Sequence, residues 1–274
     1  MEQRGLGRFT GAAVVVTGGG HGIGRALAER LAREGARVVV ADRHGPRAEK
    51  VAANIGGMAV VCDVGQPDAV HDLVQRATAE YGSVRVFCSN AGINDIGPDL
   101  GSTPEQVRAV VDVNLLAHVW AAREVVPQMV AQGEGYLVQT LSSAALITGP
   151  SNMAYTLTKH GGLGFAEWLV LNYGHLGIHV TCICPNAVNT GMLGRNEDDE
   201  KRSVRRTDDP VIAGIGDVVE PELCAEMALE AMTDGRFLVL PHPRVGESFA
   251  RKAGDYDRWL AGTNRRLRKM RGED

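Results

Sequence analysis

The sequence predicts an α/β fold, a parallel sheet with helices on both faces. Three observations carry that expectation. Ala12-Ala13-Val14-Val15-Val16-Thr17 is a continuous apolar run, the pattern of a strand buried on both faces. A glycine-rich turn joins that run directly to a helical pattern. Strand and helix patterns then alternate through three units up to Ser89, which argues for parallel strands joined by right-handed crossovers.

The elements follow in order. Residues 1–11 are a short lead-in. The first strand runs into Thr17-Gly18-Gly19-Gly20-His21-Gly22-Ile23-Gly24, and a helix pattern covers Arg25–Glu34. The spacing is G-x-x-x-G-x-G on Gly18, Gly22 and Gly24. Glycines so placed permit a tight turn and let backbone approach a pyrophosphate at a helix N-terminus. Gly35 ends the helix, and Arg37–Ala41 is the second strand. Asp42 closes that strand, eighteen residues after Gly24. A carboxylate there can accept hydrogen bonds from both ribose hydroxyls and repels a 2′-phosphate. Pro46–Asn54 is a short helix and Met58–Cys62 a third strand. Asp63 follows it, where it could face an adenine. Gln66–Glu80 is helical. Val84–Ser89 is the fourth strand and ends in Asn90-Ala91-Gly92.

Thr103–Gln132 reads as one long helix, with Ser102 or Thr103 as N-cap and Pro104 in the first turn. Val107, Val110, Val111, Val113, Leu115, Leu116, Val119 and Trp120 make it apolar on more than one side, so it is buried on two sides. Asn114 sits in its middle, where a polar group needs a partner or a purpose. Gly135–Leu141 is the fifth strand and Met153–Tyr173 the next helix. Gly161, Gly162 and Gly164 are costly inside a helix, so another element should pack closely there. Ile178–Cys184 is the sixth strand. Residues 191–216 carry mixed charges and few core candidates, as a mobile substrate loop or solvated insertion would. Glu220–Thr233 is helical, and Arg236–Leu240 is a last strand stopped by Pro241 and Pro243. The tail reads as one amphipathic helix over about 246–270. Its apolar side, with Phe249, Trp259, Leu260 and Leu267, should dock on its own or a neighbouring subunit. Arg251, Lys252, Arg258, Arg265, Arg266, Arg268 and Lys269 form a solvated basic face.

Composition narrows the function classes. A chain of 274 residues can build one large core. A formal charge of −4 gives no reason to expect nucleic acid or an anionic membrane as partner. No apolar run approaches the roughly 18 residues of a membrane span, and no secretory signal is visible at the start. The five cysteines are odd in number and sit mostly in strand-like segments. They read as buried free thiols in a reducing, cytoplasmic compartment. Cys182 and Cys184 lack a second pair at zinc spacing, so no metal site is expected. There is no Gly-x-Ser-x-Gly elbow.

The chemistry-bearing stretch is Ser142 to Lys159. Tyr155 and Lys159 are four residues apart and share one helix face. A phenol has a pKa of about 10 in water, and an ammonium nearby should favour the phenolate and lower that value. Ser142, at the end of an apolar strand, can hydrogen-bond the same substrate oxygen with which Tyr155 exchanges a proton.

Thr17-Gly18-x-x-x-Gly22-x-Gly24, Asp63, Asn90-Ala91-Gly92, Asn114, Ser142, Tyr155-x-x-x-Lys159 and Pro185 to Thr190 occur in one order and spacing. Over roughly residues 10–240 the chain thereby resembles the short-chain dehydrogenases/reductases of ordinary length. The resemblance implies a Rossmann-like, doubly wound sheet of about seven parallel strands in a single domain spanning 1–274, with a C-terminal helical extension at about 244–274. It implies that Tyr155 is the acid/base, that Ser142 orients the carbonyl, and that Lys159 binds the nicotinamide ribose and lowers the tyrosine pKa. Asn114 would hold a water linking Lys159 to solvent. The cofactor set would be Gly18, His21, Gly22, Ile23, Gly24, Asp42, Arg43, Asp63, Val64, Asn90, Ala91, Gly92, Tyr155, Lys159, Pro185, Val188 and Thr190. Family position puts Ala144, Leu146, Met153, Asn186, Ala187 and Met192 around the substrate. Three positions depart from the family pattern. Asn186 follows Pro185 where glycine is usual, and its side chain would intrude towards the substrate. Gln139 stands near a usual Asn. Asp234-Gly235-Arg236 and a tail replace the usual C-terminal Asp-Gly-Gly.

The expected function is interconversion of a secondary alcohol and a ketone, on a medium-sized, largely apolar small-molecule substrate. Asp42 favours NAD as cofactor, with NADP the alternative that Arg43 would serve. A homo-oligomer, a tetramer by resemblance, is expected from the two-sided helix 103–132 and the glycines at 161–164. A catalytically silent dinucleotide-binding sensor or scaffold is the competing class. The complete set of Asn114, Ser142, Tyr155 and Lys159 argues against it. A sugar-nucleotide epimerase or dehydratase would usually need a larger C-terminal domain.

Overall fold

A computed structural model of the chain describes residues 7–94, 99–149, 152–191 and 217–273. The strands are β1 (Ala13–Thr17), β2 (Arg37–Asp42), β3 (Met58–Val61), β4 (Val84–Ser89), β5 (Gly135–Thr140), β6 (Ile178–Ile183) and β7 (Leu238–Val239). All pair in parallel, in one seven-stranded sheet of order β3-β2-β1-β4-β5-β6-β7. The connection direction reverses between β1 and β4. Loops leaving the C-terminal ends of these two strands therefore diverge and open a crevice, where such sheets bind ligands.

The helices are α1 (Gly22–Arg33), α2 (Gly45–Ile55), α3 (Pro67–Tyr81), α4 (Pro104–Val111), α5 (Ala117–Gln132), α6 (Met153–Tyr173), α7 (Pro221–Asp234), α8 (Pro243–Gly254) and α9 (Tyr256–Arg271). Alternation along each strand splits the core into two layers. Val14 and Val16 pack with Leu27 and Leu31 of α1, Val51 of α2 and Ala228 of α7. Val15 and Phe87 face the other way, onto Leu73 of α3, Val125 and Met129 of α5 and Leu169 of α6. The fully buried Val14, Val15 and Val16 explain why β1 reads as an unbroken apolar run.

The stretch read as one helix over 103–132 is helical without a break from 104 to 132, but not uniformly α. Thr103 caps α4 through a reciprocal capping box with Gln106. A wide π turn, Asp112–Leu116, separates α4 from α5. One extra residue in one turn leaves the apolar periodicity on either side intact, so the sequence pattern runs straight through it. Asn114 lies in this turn and is fully buried. Its amide grips one residue both ways. Ile93 N donates to Oδ1 at 2.8 Å, and Nδ2 donates to Ile93 O at 2.8 Å.

The tail also differs from the expectation of a single helix. It breaks at Asp255, whose extended backbone ends α8 and whose side chain caps α9 by accepting from Arg258 N at 3.0 Å. The Phe249, Trp259, Leu260 and Leu267 side is not buried against the rest of its own chain. Phe249 and Leu260 are exposed, and Trp259 and Leu267 only half-buried. The buried residues of α8 are Val245 and Lys252. Lys252, placed by its charge on the solvated face, is thus an inward residue. Helical phase and its contacts override its charge, because a lysine stem can cross apolar surface while its head finds acceptors elsewhere.

Residues 191–216 were read as a substrate loop. All but Gly191 lie outside the described residues, Met192 included. No helix among the described residues is long and apolar enough to cross a membrane.

Candidate active site

The site collects at the C-terminal ends of β1, β2, β4, β5 and β6. Close approach dictates the glycine turn after β1. A Cβ on Gly24 would lie 2.1 Å from the Gly18 carbonyl oxygen, and one on Gly18 would lie 2.9 Å from Ala91 Cα. Gly18 and Gly22 have φ of +62° and +52°, a region that side chains disfavour. His21 is the N-cap of α1 yet makes no side-chain capping bond. The His21 side chain is thereby not folded over the start of this twelve-residue helix.

Thr17 ties this turn to β4. Its Oγ1 accepts from Asn90 N at 3.0 Å and Ala91 N at 3.2 Å, and donates to Cys88 O at 3.2 Å. Asn90 Nδ2 returns a 3.0 Å bond to Thr17 O. Asp42 is buried and holds the turn from β2. It accepts from Gly20 N at 3.0 Å through Oδ2 and from His44 N at 2.9 Å through Oδ1. Arg43 and Asp63 are exposed, and Val64 is buried. Asp63 Oδ1 accepts from Gly65 N at 3.0 Å. Ile23 packs partly against the core.

The second half of the site is built on β5 and α6. Asn152 caps α6 by accepting from Ala154 N at 2.9 Å and Tyr155 N at 3.3 Å. That cap fixes Tyr155 in the first turn, one turn before Lys159. Ser142 follows β5 in extended backbone, and its Oγ accepts from Ala144 N at 3.1 Å. Ser142 lies near enough to the Tyr155 phenol for its hydroxyl to favour the phenolate. With Ala144 N donating to Oγ, the hydroxyl proton of Ser142 is left for an acceptor such as the phenol oxygen.

Lys159 is buried. Its ammonium donates to Thr140 O at 3.0 Å and lies 5.4 Å from the Tyr155 ring centroid. Burial pulls the Lys159 pKa down to about 8. The Tyr155 pKa moves up, not down as the nearby ammonium suggests. Burial dominates, the Ser142 hydroxyl opposes it, and Cys184 adds to the rise. Proximity in sequence did not reveal this, because desolvation depends on the surroundings of the hydroxyl. His118 is also close by. Burial, then the Lys159 charge, push its pKa down to about 3, so the imidazole stays neutral.

Gly92 separates the two halves closely. A Cβ there would lie 3.4 Å from Asn114 Oδ1 and 3.8 Å from Lys159 Nζ. Asn114 is thus beside Lys159, with one donor and one acceptor of its amide used on Ile93. Packing around α6 fits two of the three helix glycines. A Cβ on Gly161 would meet Leu115 at 3.1 Å and one on Gly162 Leu141 at 2.8 Å, while Gly164 meets nothing within 4 Å.

The loop after β6 completes the wall. Val188 bridges Val219, and Thr190 Oγ1 donates to Val188 O at 3.4 Å. Pro185 O accepts from Ser143 N at 2.6 Å. Asn186 does not project freely, since its Oδ1 accepts from Ser143 Oγ at 3.0 Å. Ala144, Leu146 and Ala187 are buried and Met153 is exposed. Sequence reasoning missed Thr140, Cys184, His118, His242 and Lys252 as parts of this neighbourhood. His242 carried one usable signal, a lone histidine between the two prolines that stop β7. The others contribute a backbone atom or a buried contact that no local pattern marks.

A family model described as short chain dehydrogenase matches residues 12–201. The chain belongs to the short-chain dehydrogenase family. A 1-deoxy-11-beta-hydroxypentalenate dehydrogenase from Streptomyces exfoliatus is 37% identical to this short-chain dehydrogenase over 189 residues, which are 66% of this chain and 69% of that protein. Oxidoreductase UcpA of Escherichia coli O157:H7 is 30% identical over 265 residues, 94% of this chain and 93% of that one. A solved short chain dehydrogenase/reductase from Burkholderia phymatum, in complex with NAD, matches with a TM-score of 0.80 at 27% identity, covering 91% of this chain and 95% of that chain. The expected Rossmann-like sheet and family are both met. This short-chain dehydrogenase is an oxidoreductase whose relatives include dehydrogenases acting on hydroxyl groups.

Proposed function

We propose that the chain interconverts a secondary alcohol and a ketone, with NAD(H) as cofactor and Tyr155 as the acid/base. The observation that carries this reading is the convergence of Ser142, Tyr155 and Lys159 beside the crevice at the β1/β4 reversal. The residues fit a dinucleotide. Gly18 and Gly24 leave a cradle that a Cβ would fill, at the start of α1, where the His21 side chain makes no capping bond. When bound, the nicotinamide accepts or supplies the hydride. In the oxidising direction Tyr155 takes the proton of the substrate hydroxyl, and the Ser142 hydroxyl steadies the substrate oxygen as it becomes a carbonyl. Lys159, beside the ring, favours the phenolate against the effect of burial.

Asp42 supports NAD. Its two oxygens already accept backbone N–H groups, which keeps the carboxylate in place at the strand end, and each retains acceptor capacity for a ribose hydroxyl. The NAD complex of the Burkholderia relative is consistent with that choice. Buried Ala144, Leu146 and Ala187 support a largely apolar substrate. The five free, buried cysteines support a reducing, cytoplasmic compartment. Exposed Leu157, Trp168 and Leu171 on α6 support a homotetramer that covers them.

The test follows absorbance of the reduced nicotinamide with a panel of secondary alcohols and ketones. The wild type should turn over at least one pair, and Tyr155→Phe should lose about 10²–10⁴ in kcat while still binding cofactor. Near-normal turnover in Tyr155→Phe would place the proton transfer elsewhere.

A further inference from the structure

The C-terminal tail reaches the loop behind Ser142 through one buried ammonium. Lys252 on α8 is 5% exposed, although Arg251 and Ala253 beside it are exposed. Its Nζ donates to Leu146 O at 2.9 Å. The same ammonium lies 5.2 Å from the Tyr256 ring centroid and 5.4 Å from that of Trp259. Among the described residues no carboxylate pairs with it. A buried ammonium needs compensation. Here a carbonyl and two aromatic faces supply it.

The location of that carbonyl gives the contact its meaning. Ser143–Ala145 is a short 3-10 turn with Ser142 as its N-cap and Leu146 as its C-cap. Lys252 therefore holds the far end of the turn whose near end carries the Ser142 hydroxyl, beside Tyr155. A second grip comes from His242, the N-cap residue of α8. Its Nδ1 accepts from Asn186 N at 3.1 Å, and its Nε2 reaches Asp217 O at 3.0 Å. Both bonds require the neutral tautomer protonated on Nε2. Asn186 and Ser143 are themselves bonded at 3.0 Å. The two loops on the substrate side are thus tied to each other and to the two ends of one helix.

We propose that Lys252 is a positioning residue for substrate. Helix α8 acts as a clamp that fixes the Ser143–Ile147 loop, and with it Leu146, against the substrate. The proposal rests on the reading that Ser142 and Tyr155 face an alcohol oxygen. It goes further in making the C-terminal tail a determinant of substrate fit.

Lys252→Met keeps the length of the stem and removes donor and charge. Lys252→Arg keeps both. With the best alcohol, Lys252→Met should raise KM about tenfold, the loss of one charge-assisted hydrogen bond, with kcat changed less than about twofold. Lys252→Arg should recover most of the affinity, and the cofactor dissociation constant should stay the same in both. Hydrogen exchange should quicken at the Leu146 and Ile147 amides in Lys252→Met and not in Lys252→Arg. An unchanged KM in Lys252→Met, or equal damage in both variants, would overturn the proposal. If the wild type oxidises no alcohol, the enzymatic reading fails by itself. Unaltered exchange at Leu146 and Ile147 in Lys252→Met would then reject the clamp separately.

Discussion

The Lys159 ammonium lies 5.4 Å from the centre of the Tyr155 ring while donating a 3.0 Å bond to the Thr140 carbonyl. Lysine and tyrosine are thus held one helical turn apart by different means. The helix places them on one face, and the end of β5 fixes the ammonium. Burial lowers the lysine pKa and raises that of the tyrosine.

The Lys159 shift has a stability consequence whose sign is fixed. Its pKa falls from 10.5 to about 8 on folding. Between those values the unfolded chain binds the proton and the folded chain does not, so this group makes stability rise with pH across the window. The shift corresponds to roughly 3 kcal/mol. Denaturant unfolding of wild type and Lys159→Met should show their stability difference moving in favour of wild type by about that amount from about pH 7 to about pH 10.5. A pH-independent difference would show that Lys159 titrates as it does in water.

Ser142 favours the Tyr155 phenolate, against the effect of burial. Ser142→Ala should therefore move the acidic, ascending limb of kcat/KM for alcohol oxidation to higher pH, because the base then loses its proton less readily. The loss of the oriented hydroxyl should lower kcat by about 10²–10³. A pH–rate profile of both proteins gives both quantities.

Asp42 has two duties, holding Gly20 N at 3.0 Å and standing at the end of β2. Asp42→Ala should weaken both cofactors by loosening the glycine turn. It should also shrink the preference for NAD over NADP by one to three decades, each about 1.4 kcal/mol. The measurement is kcat/KM for both cofactors with one substrate. An unchanged ratio would remove Asp42 as the selector.

Leu157, Gly164, Trp168 and Leu171 recur on α6 at steps of seven, four and three residues, so they share one face. Leu171 is 81% exposed, and nothing lies within 4 Å of a Cβ placed on Gly164. A second helix could approach there closely. Leu171→Glu should shift the assembly to smaller species by sedimentation, since each such side chain contributes about 1.5–3 kcal/mol when covered. An unaffected sedimentation coefficient would place the subunit contact on another face.

The amino-acid sequence by itself determined the sheet, the glycine turn and the pairing of Tyr155 with Lys159. Each rests on local rules. A strand covered on both faces has to be apolar throughout, as β1 is. A turn in which Gly24 Cβ would strike Gly18 O has to be glycine. Residues four apart on a helix share a side. Tertiary structure alone decided the rest. The π turn at Asn114 exists where its amide finds Ile93, a partner 21 residues away. Lys252 turns inward because Leu146 O, Tyr256 and Trp259 receive its ammonium, and a charge on an amphipathic helix otherwise reads as solvated. The raised Tyr155 pKa and the lowered Lys159 pKa follow from desolvation, which depends on every element packed around the two groups. Local sequence fixes backbone geometry and apolar faces, whereas burial and long-range hydrogen-bond partners come into being only when distant segments meet.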